Sequence, residues 1–146
     1  VGATTTLTAL WALGTLIGLG WAARRLNQGA EAHRLAAGGL LWGVLAFVLV
    51  IAAAPTGSTV LFWLGAFGIG LGSGQFSVGT LTAAMALARD GRSGIAIGAW
   101  GAVQASAVGL AVLSGGALRD LITQLSASGV LGPALSSPAT AYSVVY

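Results

Sequence analysis

Two glutamines and a tryptophan carry most of the chemistry available inside the apolar stretches of this 146-residue chain. Gln75 and Gln104 each lie deep within such a stretch, and Trp100 stands four residues before Gln104. A polar amide in an apolar medium costs free energy unless it is hydrogen-bonded, so each should face protein or a cavity. Three uses follow: an interhelical hydrogen bond, a contact to a polar group of a substrate, or weak ligation of a pigment magnesium through the amide oxygen. Trp100, with Trp11 and Trp42, lies deep enough to stack on a planar ligand, whereas Trp21 beside Arg24 reads as an interfacial anchor. His33, the one histidine, sits beside Arg34 in a polar connection and reads as a solvated residue or a headgroup contact. Nothing pairs a nucleophile with a base, and no carboxylate pair or metal-ligand cluster is present, so no enzymatic activity is expected. The run GIGLGSG, Gly68 to Gly74, lacks the glycine spacing of a dinucleotide loop and no βα unit surrounds it.

The elements that must position these residues are set by composition. Hydrophobic residues make up 56% of the chain and charged residues 6%, against about a quarter charged in soluble domains. Nine charges and one histidine cannot cover a soluble surface, and lysine and cysteine are absent. This is the composition of an integral membrane protein. A net charge of +3 without a basic face gives no nucleic-acid site.

Four apolar runs approach or exceed the roughly 20 residues that span a bilayer as a helix. The expected spans are residues 2–23, 35–54, 59–88 and 93–118, with 121–138 an external loop and 139–146 the start of a further span. Continuous runs of this length exclude the alternation of a β-barrel. All nine charged residues fall between the runs. Arg24, Arg25 and Arg34 crowd the first connection, and Arg89 and Arg92 the third, which marks both as cytoplasmic. With no initiator methionine and an apolar run opening at its end, the chain is expected to be an internal piece of a longer polytopic protein.

Glycine is the richest pattern. Gly65, Gly68, Gly72, Gly79 and Ala83 form one stripe, and Gly94, Gly98, Gly101, Ala105 and Gly109 another; Gly14 with Gly18, and Gly39 with Gly43, make shorter ones. In lipid, where burial of apolar surface drives nothing, such stripes let helix backbones approach closely. Close packing is therefore expected at Gly68, Gly72, Gly79, Gly94, Gly98, Gly101 and Gly109. A hinge, or a flat wall for a planar ligand, is the alternative use.

The stretch Gly70 to Asp120 resembles the PucC family, a branch of the major facilitator superfamily in photosynthetic bacteria. The pieces that carry the resemblance are GTLTAAMALA (Gly79–Ala88), GAWGAVQA (Gly98–Ala105), GGALRD (Gly115–Asp120) and the closing AYSVVY (Ala141–Tyr146). The resemblance implies an all-α, polytopic membrane bundle, about helices eight to eleven of a twelve-helix major-facilitator-type fold. The orientation derived from the arginines agrees with that placement. The Arg24–Arg34 loop occupies the position of the superfamily's Gly/Asp/Arg motif but departs from it, with Gly29 and Glu31 as the nearest counterparts. By function, the resemblance implies an assembly factor for light-harvesting complexes in the bacterial intracytoplasmic membrane, delivering or shielding bacteriochlorophyll while antenna polypeptides insert. Its partners would be antenna polypeptides, the reaction-centre complex and membrane lipid, with carotenoid or lipid as further ligands. Gln75, Trp100 and Gln104 are the candidate pigment contacts. A small-solute transporter of the same fold and a structural subunit of a photosynthetic complex are the alternatives.

Overall fold

The computed structural model describes residues 2–88 and 91–127, and every regular element among them is a helix. In order these are α1 (Ala3–Asn27), α2 (Ala32–Thr56), α3 (Thr59–Ala86) and α4 (Ser93–Ala127). All four are long and apolar enough to cross a membrane. At 1.5 Å per residue even a 25-residue helix reaches about 37 Å, past the roughly 30 Å hydrocarbon core.

Several hydroxyl side chains inside the helices are satisfied locally. Thr15 Oγ1 donates to the Trp11 carbonyl at 2.9 Å, Thr80 to Phe76 at 2.8 Å and Ser114 to Leu110 at 2.7 Å. Each hydroxyl thereby returns its proton to its own helix, which removes the cost of carrying it through an apolar medium.

The connections are short because their residues end helices. Gly57 takes the left-handed conformation at φ 60°, and the following Ser58 N–H donates to the Ala53 carbonyl at 3.2 Å. Ser58 then caps α3, its hydroxyl accepting from the Leu61 N–H at 3.4 Å. Gly29, at φ 87°, makes the equivalent reversal between α1 and α2.

The chain divides into a unit Val1–Gly98 and a unit Ala99–Tyr146. In the first, α3 is the centre, with α1 and α2 each packed along it. Contact order gives direction: Gly14 meets Phe67 and Gly18 meets Leu71, so α1 and α3 run the same way. Ala36 meets Gly79 and Ala46 meets Gly65, so α2 runs against them. Buried side chains of this unit are small apart from Leu35 and Gln75. Large side chains such as Leu41, Trp42, Leu45 and Val48 point outward, where the composition predicts lipid.

Helix α4 corrects one boundary. Residues 121–127, expected as the opening of an external loop, continue the helix through Arg119 and Asp120. Leu121, Gln124 and Leu125 are good helix formers, and a charged pair ends an apolar run without ending backbone hydrogen bonding. The remainder of that loop, the expected span at 139–146 and Arg89 lie outside the described residues.

Candidate functional site

The first unit is sealed by glycine on two faces of α3. A Cβ added at Gly72 would stand 2.6 Å from the Gly39 carbonyl oxygen and 2.8 Å from the Gly43 nitrogen. One at Gly79 would stand 2.6 Å from the Ala36 nitrogen, and one at Gly68 2.9 Å from the Ala46 Cβ. These positions, with Gly65, share an arc of about 60° at 100° per residue and form the α2 face. Gly70 and Gly74 lie about 200° away and face α1. A Cβ at Gly74 would stand 2.5 Å from the Thr15 carbonyl oxygen, and one at Gly70 would strike the Trp11 carbonyl. Gly14 and Gly18 return the contact onto the Phe67 and Leu71 carbonyls.

The α1 face of α3 was missed by the sequence reading, which followed a single stripe. Its signal was the run GIGLGSG itself. Glycines two apart on a helix point in nearly opposite directions, so Gly68, Gly70, Gly72 and Gly74 serve two neighbours in alternation.

Gln75 lies on the α2 face and is 3% exposed. Its Cβ is already within 3.0 Å of where a Cβ at Gly39 would sit. Its Oε1 lies 3.9 Å from where a Cβ at Gly38 would sit. Glycine backbones enclose it.

Trp100 and Gln104 belong to α4 in the second unit, both half-buried and one turn apart. With Gly101 they occupy an arc of about 100° on the helix. A Cβ at Gly94, Gly98, Gly101 or Gly109 meets no atom within 4 Å. The close approach expected along this stripe therefore has no counterpart among the described residues.

The described charged groups of the first unit stand at helix ends. Arg25 lies over the Trp21 ring, 5.4 Å from its centroid, and Arg34 pairs with Glu31 at 2.7 Å. Arg92 is exposed and its carbonyl accepts the first hydrogen bonds of α4. His33 is exposed near the start of α2.

Comparison with known proteins sets this arrangement in a family. A Rhodobacter capsulatus protein described as an uncharacterized protein in the puhA-bchM intergenic region is 59% identical over 146 residues, covering all of this chain and 30% of that protein. Protein PucC of the same organism is 47% identical over 138 residues, covering 91% of this chain and 30% of that protein. Protein PucC of Rhodovulum sulfidophilum is 43% identical over 122 residues, covering 84% and 27% respectively. The chain thus spans about 30% of the length of these relatives. No solved structure matches it. The PUCC protein family matches residues 1–146, the whole of the sequence, and the chain belongs to that family.

Proposed function

We propose that this chain is part of a non-enzymatic membrane assembly factor for bacterial light-harvesting complexes, acting in the intracytoplasmic membrane as a pigment chaperone. The observation that carries the proposal is membership of the PUCC family, whose relatives in photosynthetic bacteria include proteins named PucC. The major-facilitator architecture belongs to the same reading.

Bacteriochlorophyll would supply a broad apolar macrocycle and a magnesium able to take a ligand from the protein. The two glutamines fit that group differently. Gln75 is enclosed by the α2 and α3 backbones and offers no open face. Trp100 and Gln104 lie beside Gly101, where a Cβ would meet no atom of the described residues within 4 Å, and this reading puts the pigment contact on α4. Trp100 would stack on the macrocycle and Gln104 would present its amide to a polar group or to the metal. The glycine-sealed unit of α1, α2 and α3 serves as the rigid base of the full protein.

The test is a mild-detergent purification of the full-length protein, followed by absorption spectroscopy and mass spectrometry on the same sample. Antenna polypeptides together with near-infrared bacteriochlorophyll bands are expected. Trp100→Ala and Gln104→Ala should weaken the pigment bands while leaving protein yield unchanged. A colourless protein without antenna partners would refute the proposal and favour solute transport. Antenna partners without pigment would favour a structural subunit.

A further inference from the structure

The turn between α1 and α2 holds a cleft that the pigment reading does not use. It measures about 400 Å³, within the range of small-molecule sites. Arg25 and Arg34 line it, with Trp21, Ala30, Glu31 and Leu35. Two arginines therefore line one recess beside a single carboxylate.

Backbone geometry adds to this charge. Helix α2 starts at Ala32, and its N-cap residue Glu31 makes no side-chain capping bond. The first N–H groups of a helix have no intrahelical partner and carry the positive end of its dipole. Glu31 instead spends its carboxylate on Arg34, at 2.7 Å, with both side chains largely exposed. An anion entering the cleft would meet the Arg25 guanidinium, the Arg34 guanidinium and an uncapped helix start together.

The apolar approach to the cleft identifies where such an anion comes from. Ile17, Trp21 and Arg25 follow at steps of four and make one line along α1. Ile17 is 47% exposed and Trp21 45% exposed. Arg25 lies over the indole of Trp21, so its charge is held at the point where the apolar line ends. A molecule with a charged phosphate and an acyl chain matches both parts; a free phosphate uses only the first. Basic recesses at the ends of membrane helices bind anionic headgroups in this way.

We propose that the α1–α2 cleft binds the phosphodiester headgroup of an anionic membrane lipid, with Arg25 and Arg34 on the phosphate and an acyl chain along Ile17 and Trp21. Glu31 weakens the site by competing for Arg34. The site is independent of pigment contact on α4.

The probe is dioctanoyl phosphatidylglycerol, titrated into delipidated full-length protein in non-ionic detergent and read by native mass spectrometry. Inorganic phosphate and dioctanoyl phosphatidylcholine are titrated in parallel. Each arginine near a membrane surface is worth about 5-fold, so R25Q/R34Q should lose on the order of 25-fold in phosphatidylglycerol affinity. Arg92→Gln, outside the cleft, should leave affinity unchanged. Glu31→Gln should tighten binding by about 3-fold or more, a gain that misfolding cannot produce. A loss under about 2-fold in R25Q/R34Q, or no gain in Glu31→Gln, overturns the site. Inorganic phosphate binding as tightly as the lipid overturns the lipid as its occupant, and equal affinity for phosphatidylcholine overturns selection for anionic headgroups.

Discussion

Replacing Gly72 by alanine should destabilise the protein, although alanine is the better helix former. The new Cβ would lie 2.6 Å from the Gly39 carbonyl oxygen and 2.8 Å from the Gly43 nitrogen, both backbone atoms that no rotamer change can move. Ordinary van der Waals contact begins at 3.4 Å, so α2 and α3 must separate by about 0.8 Å. A gap of that size forfeits a quarter to a half of each dispersion contact it opens. With about 40 atom pairs along the approach at about 0.15 kcal/mol each, the loss is about 1.5–3 kcal/mol. Higher helix propensity offsets about 1 kcal/mol, leaving the variant about 0.5–2 kcal/mol less stable.

Gly20→Ala is the matched control, because a Cβ there meets no atom within 4 Å. It should be up to about 1 kcal/mol more stable than the parent on propensity alone. Unfolding of the full-length protein by sodium dodecyl sulfate in mixed micelles, followed by circular dichroism, gives both values on one scale. Equal stability of the two variants, or a Gly72→Ala protein as stable as the parent, would refute close backbone approach as the source of cohesion.

The same reasoning yields three further expectations. Gly57→Ala should cost about 1–2 kcal/mol through its left-handed φ of 60° alone, since its Cβ meets open space, and Gly57→Asn should recover part of that in the same denaturation assay. In an otherwise cysteine-free full-length protein, Gln28→Cys and Thr59→Cys should react with membrane-impermeant maleimide from opposite sides, with Gln28 cytoplasmic; labelling from one side would overturn the arginine-based topology. Gln75→Leu should leave the near-infrared bands of the purified complex unchanged while altering thermal stability, because Gln75 packs against α2; loss of pigment in that variant would return the pigment contact to α3.

Spans were legible because long apolar runs have one solution in lipid. The starts and ends of α1, α2 and α3 fall within four residues of where hydropathy and charge put them. Extension of α4 past Asp120 was not legible, since charge reports where an apolar run stops and backbone hydrogen bonding can continue beyond it. Glycine stripes were legible as a type but not in their partners. Gly18 meets the Leu71 backbone while Gly20, on the same helix, meets nothing; the four-residue step from Gly14 marks Gly18 but does not name α3 as its partner. The α1 face of α3 stayed hidden because a stripe was sought at steps of three and four. A central helix flanked by two neighbours needs two stripes, and their superposition is the even spacing from Gly68 to Gly74.

That arrangement also bears on what this part of the molecule can do. A proton-coupled gate requires ionisable groups that change charge within the span. The charged residues of α1, α2 and α3 stand at their ends, and the polar groups within are amides and hydroxyls. A helix contact that slides requires two arrangements of similar energy. Shifting α1 or α2 by one residue along α3 would bring side chains onto carbonyls that now face glycines, at Gly14, Gly18, Gly39, Gly70, Gly72 and Gly79. Each mismatch repeats the Gly72→Ala clash, so alternative registers rise in energy together. The first unit is therefore built to hold one geometry. If Gly72→Ala proves neutral, this second conclusion falls with the first, because both rest on the same contact between backbones.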